Sequence, residues 1–135
     1  MNEFIPMADI VKISDEELGF ITGESDIKAA LPKLFTGNVK LVIYTCGSEG
    51  AYAFTNNAQA FAESEKVKAV DTTGAGDGFI GSFLYALKAL NVTAEGLCDL
   101  DNAQLERCIA FSNKFCGESV KHQGAIDSYR KIEFI

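Results

Sequence analysis

The sequence predicts an α/β fold built on a mainly parallel sheet. Two stretches are predicted to be buried strands: 8–13, a short apolar run with β-branched residues, and Leu41–Thr45, a continuous apolar run. Apolar residues recur at helical spacing elsewhere, most clearly at Ile80, Phe83 and Leu87. Alternating strands and helices of this kind are typical of α/β domains.

The first predicted strand, 8–13, ends at Ser14. Ser14 and Glu17 stand three residues apart, as in a capping box, so we expect a helix to begin there. Gly23 is the residue type expected just past the end of that helix.

A second helix is expected to begin near Ser25 or Asp26 and to stop by Gly37. Pro32 lies inside this stretch and lacks a backbone N–H. We therefore expect Pro32 to kink or divide the helix.

Leu41–Thr45 is predicted to be a central strand, and its carboxyl end is where ligands gather in open α/β sheets. Gly47 and Gly50 follow that end. From the residues alone they either shape a turn between two strands or contact a ligand. Beyond them, 51–54 and 58–61 alternate about a central Asn-Asn pair and predict a hairpin at the sheet edge.

The segment 70–81 contains a glycine run that leads into a helix. The N–H groups of a first helical turn attract anions, and Gly74 and Gly76 let the backbone approach a ligand closely. Asp77 then has two interpretations. It either complements the helix dipole, or it accepts the proton of an alcohol that attacks a phosphoryl group held by the backbone of residues 74–77. The glycine run favours the second.

Gly76, Gly78 and Gly81 also satisfy the G-x-G-x-x-G pattern of dinucleotide-binding folds, with Asp101 about 20 residues further on. That pattern requires the acidic residue to follow a strand, and residues 96–101 are too short and polar to form one. No P-loop is present, because no glycine is followed by Lys-Ser or Lys-Thr.

The last predicted helix begins at Asp101, with Gln104 three residues on, and runs to Gly117. Asn113 lies in this helix, where the pattern favours a solvated position. Residues 119–128 are expected to form a loop or short strand, and 129–135 a tail or a fraying helix.

Composition restricts the function further. The chain has 135 residues, of which 47% are hydrophobic, as suits one domain with one core. A formal net charge of −7 argues against nucleic-acid and anionic-membrane partners. The first residues resemble no signal peptide, and no apolar run could cross a membrane, so a cytoplasmic location is expected. The chain has four cysteines, which are Cys46, Cys98, Cys108 and Cys116. Their spacing, together with the single His122, does not match a zinc site. We expect these cysteines to be reduced and mostly buried.

Four stretches, in order along essentially the whole chain, resemble the ribokinase-like (PfkB) carbohydrate kinases. The first, 8–18, resembles the magnesium and phosphate segment in its fructokinase-like version, although Ser14 stands where ribokinases commonly have Asn. The most specific stretch, 71–77, resembles the C-terminal motif of the family. The resembling residues also include Gly81 and Ser82, the turn Thr45-x-Gly47-x-x-Gly50, and the pair Gly124-Ala125.

This resemblance implies a three-layer, Rossmann-like sheet with helices on both faces, together with a set of site residues. The implied base is Asp77, beside an anion hole at Gly74, Ala75 and Gly76. Glu17 lies where an acidic residue supports magnesium-bound phosphates. The implied nucleotide contacts are Thr45, Gly47, Gly50 and Asn113. The implied potassium site comprises Asp71, Thr73, Ser119, His122, Gly124 and Ser128.

The implied function is ATP-dependent phosphoryl transfer to a sugar hydroxyl, with Mg²⁺ and possible use of K⁺. Residues 1–135 resemble the C-terminal nucleotide-binding and catalytic-base portion alone, so we expect the N-terminal sugar-binding and lid portion to be absent. The alternatives are a non-catalytic nucleotide-binding module and one half of a split kinase. The expected partners are a sugar and either a second copy or the absent half, and the identity of the sugar cannot be derived from these residues.

Overall fold

The computed structural model describes residues 7–46, 49–64, 75–93 and 95–119, with backbone alone at 75–77 and 117–119. Within these residues no helix has the length and hydropathy needed to cross a membrane. The elements, in chain order, are β1 (Ile10–Ser14), α1 (Asp15–Thr22), α2 (Ile27–Leu34), β2 (Leu41–Thr45), β3 (Ala51–Phe54), β4 (Gln59–Ala62), α3 (Ala75–Ala89), a 3₁₀ helix (Glu95–Asp99) and α4 (Asn102–Ser119).

The described strands form one sheet in the order β1-β2-β3-β4. Strand β1 pairs with β2 in parallel, and the two following pairs are antiparallel. The prediction of a mainly parallel sheet is therefore wrong for these strands, because short turns join β2, β3 and β4 and reverse the chain each time. The interior position of β2 and the hairpin at the sheet edge are confirmed.

Helices cover both faces of the sheet, which confirms the predicted three layers. On one face, Ile13 and Val42 belong to a buried cluster with Leu18 of α1 and Leu34 of α2. The buried cluster on the other face joins β2 and β3 to α3 and α4; it includes Leu41, Ile43, Ala53, Phe83, Leu105 and Ile109. Because alternate residues of β2 face opposite sides, one apolar strand serves both clusters.

Helix α1 begins and ends as its sequence predicts. The Glu17 N–H donates to Ser14 Oγ at 3.2 Å, and the Ser14 hydroxyl donates to Glu17 Oε1 at 2.8 Å. At the other end Gly23 has a φ of 75° and donates its N–H to the Gly19 carbonyl at 2.9 Å. A left-handed residue at this position satisfies a carbonyl that the helix would otherwise leave without a donor.

Helix α2 is continuous through Pro32, so of the two expected effects of this proline, a kink or a division, the division is wrong. Its N-cap is Asp26, whose side chain accepts the Lys28 N–H. Ala30 and Leu34, on either side of Pro32, are both fully buried against the sheet. Burial of the two flanking residues offsets the one backbone hydrogen bond that proline cannot make.

The region before α4 contains no strand, as predicted, and forms the 3₁₀ helix instead. Helix α4 then begins with a reciprocal cap: the Gln104 N–H donates to Asp101 Oδ1 at 2.7 Å, and the Asp101 N–H donates to Gln104 Oε1 at 3.0 Å. The helix continues to Ser119, two residues beyond the predicted end at Gly117.

Gly50 precedes β3 with a φ of 130°, and a Cβ there would collide with the Ala62 carbonyl oxygen. We predict that Gly50→Ala lowers the free energy of unfolding by about 2 kcal/mol or more, because both the backbone conformation and the close approach require glycine. Urea denaturation measures this change.

Gly19→Ala is the matched control, because a Cβ at this exposed helical position meets nothing closer than 3.8 Å. This variant should raise the free energy of unfolding by about 0.5–1 kcal/mol. Equal effects of the two substitutions would contradict the close contact at Gly50.

Candidate functional site

The candidate site lies at the carboxyl ends of β1 and β2. Their last residues, Ser14 and Thr45, are register partners in the parallel pair. Strand alternation places Thr45 on the same face as Leu41 and Ile43, which pack against α3 and α4. Ser14 and Thr45 therefore adjoin the α3–α4 side of the sheet, at the edge where ligands of open α/β sheets bind.

Helix α3 points its first turn toward this edge. Leu87 and Lys88, near its C-terminus, line a groove together with Asp9 and Ile10 at the beginning of β1. Because α3 also packs on β2 and β3 through Phe79 and Phe83, we infer that it runs antiparallel to β1, with its N-terminus directed toward the strand ends. The free N–H groups of that first turn carry partial positive charge and favour an anion.

Ala75, Gly76 and Asp77 are the first three residues of α3, so the predicted transition from a glycine run into a helix is confirmed at these positions. Their side chains lie outside the described part of the structure, as does that of Ser119. The other predicted site residues outside the described ranges are Gly47, Asp71, Thr73, Gly74, His122, Gly124 and Ser128.

Glu17 reaches the same edge through its hydrogen bond to Ser14. Its carboxylate is solvent-exposed, and among the described residues no group of three or more His, Cys, Asp or Glu side chains could hold a metal ion. Mg²⁺ commonly takes one or two carboxylates and completes its coordination with phosphate oxygens and water. A single acidic residue near a phosphate site fits that donor set.

Lys12 is a residue of this edge that the sequence analysis did not single out. It lies two residues before Ser14 on β1 and so shares its side of the strand, where it is half-buried. Burial raises the pKa of the Cys116 thiol on α4 to about 12, and the positive charge of Lys12 lowers that pKa by a smaller amount. The period-two alternation back from Ser14 was the signal that could have identified it.

The predicted nucleotide turn is closed by its own backbone. The Cys46 N–H donates to the Gly50 carbonyl at 2.8 Å, and the Glu49 N–H donates to the Cys46 carbonyl at 3.1 Å. Thr45, just before the turn, is half-buried, whereas Gly50 is buried. The turn geometry accounts for Gly50 without a ligand, so the structural interpretation of this glycine is sufficient.

Asn113 is buried, and the expectation of a solvated position is wrong. Only 6% of this residue is exposed, and its Nδ2 donates to the Ala62 carbonyl at 3.0 Å and the Glu63 carbonyl at 3.1 Å. The physical reason is that α4 packs against β3 and β4. Leu105 and Ile109, eight and four residues earlier, are fully buried, and this spacing could have placed Asn113 on the same stripe.

None of the four cysteines is in a disulfide. Cys108 is buried, and burial raises its pKa to about 11. The expectation that the cysteines are mostly buried is wrong for Cys46, Cys98 and Cys116, which are half-buried. Cys46 follows directly after β2, and burial is again the largest cause of its raised pKa.

Residues 1–132 match the pfkB family carbohydrate kinases. A probable fructokinase-5 from Arabidopsis thaliana is 36% identical over 120 residues, which are 88% of this chain and 36% of that protein. The chain therefore spans about a third of the length of this curated relative.

Two solved structures share the arrangement described above. A fructokinase from Xylella fastidiosa with bound ATP superposes with a TM-score of 0.86 at 26% identity, covering 95% of this chain and 41% of that one. A fructokinase from Vibrio cholerae O395, in a form with bound fructose, ADP and calcium ion, has a TM-score of 0.74 at 32% identity and covers 93% of this chain and 39% of the other.

Proposed function

Since this chain belongs to the pfkB family of carbohydrate kinases, we propose that it carries the ATP-binding and phosphoryl-transfer portion of a fructokinase-like sugar kinase. The observation that carries the proposal is the convergence of three elements at one sheet edge. The first turn of α3 points toward the ends of β1 and β2, where Ser14 with Glu17 and Thr45 lie. The edge thus combines an anion-attracting helix start with a carboxylate suited to a metal ion.

The proposed reaction transfers the terminal phosphoryl group of ATP to a sugar hydroxyl. Asp77 accepts the proton of that hydroxyl as its oxygen bonds to phosphorus, and ADP departs. Backbone N–H groups of residues 74–77 hold the charge that develops on the transferring group. Lys12, on the α3 side of β1, adds a positive charge near the same edge.

Mg²⁺ is the proposed divalent ion, and Glu17 is the residue that would support it. When bound, the ion would neutralise phosphate charge and orient the triphosphate. Ser14 holds the Glu17 carboxylate at the start of α1 through the 2.8 Å hydrogen bond. The capping role of this pair and a role beside the metal are compatible, because the carboxylate has a second oxygen.

Asp77 as the base is tested by Asp77→Asn in a preparation that phosphorylates a sugar. We expect a loss of roughly 100-fold or more in kcat, because the amide cannot accept the proton. ATP affinity should be kept or increased, since a negative charge near the phosphates is removed.

The control variant for this test is Asp99→Asn, an identical change at an exposed residue of the 3₁₀ helix. It should leave kcat unchanged. Full activity in Asp77→Asn, or equal losses in the two variants, would remove Asp77 from the mechanism.

Potassium is the proposed monovalent ion, held by Asp71 and Thr73 together with Ser119, His122, Gly124 and Ser128. A cation there would order the glycine backbone that precedes α3 and offset the charge of Asp71. ATP affinity should therefore be higher in potassium than in a large inert cation at the same ionic strength. Asp71→Ala should abolish the difference. Equal affinity of the unsubstituted chain in both salts would exclude the site.

The chain is proposed to require a further kinase portion that supplies the sugar pocket and lid. In the described part of the chain, β1 pairs only with β2, and its other edge has no strand. A groove of about 540 Å³ opens between the beginning of β1 and the C-terminal half of α3, and Leu84 at its wall is 48% exposed. An open strand edge next to apolar surface is suited to pairing with a further strand. We also propose a cytoplasmic location, because none of the four cysteines is in a disulfide, as is usual for proteins of a reducing compartment.

The isolated chain is expected to self-associate across this edge and to show no sugar phosphorylation at an ordinary enzymatic rate. Leu84→Glu should reduce the association, because it places a charge in the apolar groove. Light scattering measures the association, and a coupled assay of ADP release over a panel of hexoses and pentoses measures the activity.

Phe20→Glu is the control, since Phe20 is 94% exposed on α1, which packs on the opposite face of the sheet. It should leave the association unchanged. A monodisperse monomer that phosphorylates a sugar at an ordinary rate would show that these residues contain the acceptor site.

A further inference from the structure

Three separate parts of the chain meet at the end of β4. The first is the predicted nucleotide turn, whose last residue, Gly50, is so close to Ala62 and Glu63 that a Cβ would collide with them. The second is Asn113 of α4, whose amide donates to the carbonyls of these same two residues at 3.0 and 3.1 Å. The third is the β4 end itself, from which the chain continues toward the glycine run before α3.

The donor capacity of Asn113 is committed at this junction. A side-chain amide nitrogen carries two hydrogens, and two carbonyls accept from this one. The residue is also 94% buried, as its exposed fraction is 6%. Donation from Asn113 to a nucleotide would break a buried hydrogen bond, and such an exchange is unfavourable.

We propose that Asn113 is a positioning residue for nucleotide binding rather than a hydrogen-bond donor to the nucleotide. Its amide holds Ala62 and Glu63 against α4, and Gly50 lies against these two residues at the beginning of β3. Gly50 also accepts the Cys46 N–H at 2.8 Å, and this hydrogen bond connects the end of β2 to the beginning of β3. This inference rests on the proposed function, since it assigns a role within the same nucleotide site.

The positioning role is tested by comparing Asn113→Ala with Gln104→Ala in the full chain. Gln104 caps the start of the same helix through the Asp101 N–H, far along α4 from Asn113, so its loss weakens α4 without touching the junction. Amide hydrogen exchange at residues 49–51 reports on the turn, and titration with ATP and with GTP reports on binding.

In Asn113→Ala we expect exchange at residues 49–51 to accelerate about tenfold or more beyond any change in global stability, because two buried carbonyls lose their donor. We also expect ATP and GTP to bind more weakly by the same factor, about tenfold, since a distorted turn affects both nucleotides alike. Gln104→Ala should change neither quantity beyond its effect on global stability.

The wild-type chain provides a second measurement in case Asn113→Ala does not fold. The side-chain amide hydrogens of Asn113, observed by NMR, should exchange slowly with and without saturating ATP. Fast exchange in the free chain would overturn the proposal.

The other outcomes of these measurements are also decisive. A loss of ATP affinity with unchanged exchange at the turn, or a loss confined to ATP, would identify Asn113 as a direct contact and overturn the positioning role. Accelerated exchange with unchanged affinity would also overturn it. If the wild-type chain binds neither nucleotide, the proposed function fails and this inference with it, whereas binding that is unaffected by Asn113→Ala refutes this inference alone.

Discussion

The parallel pairing of β1 with β2 is the constraint on which the rest of the structure depends. Two parallel strands require a crossover, and α1 and α2 supply it on one face. The buried side chains of β1 and β2 are apolar because helices cover both faces of these strands, α1 and α2 on one face and α3 and α4 on the other. Polar chemistry is therefore displaced to the strand ends, where Ser14 and Thr45 lie side by side.

The antiparallel hairpin adds a second set of constraints beyond β2. Gly50 must be glycine because the end of β4 approaches it closely, and Asn113 holds that end to α4. The same contacts thus stabilise the edge of the sheet and shape the turn after β2. Folding stability and the geometry of the proposed nucleotide site are consequently linked in this region.

Charge has a local rather than a global role in the proposed site. The chain is acidic overall, with a net charge of −7, and would repel a polyphosphate at long range. In the proposed site, attraction comes from groups close to the phosphates: the first turn of α3, the half-buried Lys12 and the metal ion proposed beside Glu17.

The sequence by itself determined the local features: the caps at Ser14 and Asp101, the left-handed Gly23, the strand Leu41–Thr45, and the helix that follows the glycine run. These depend on residues within one or two turns of one another. Tertiary structure alone decided the antiparallel pairing of β2 with β3, the hydrogen bonds from Asn113 to the end of β4, the proximity of Lys12 to Cys116 of α4, and the accommodation of Pro32 within α2. Each of these depends on contacts between residues far apart in sequence, and local periodicity does not encode which elements pack together.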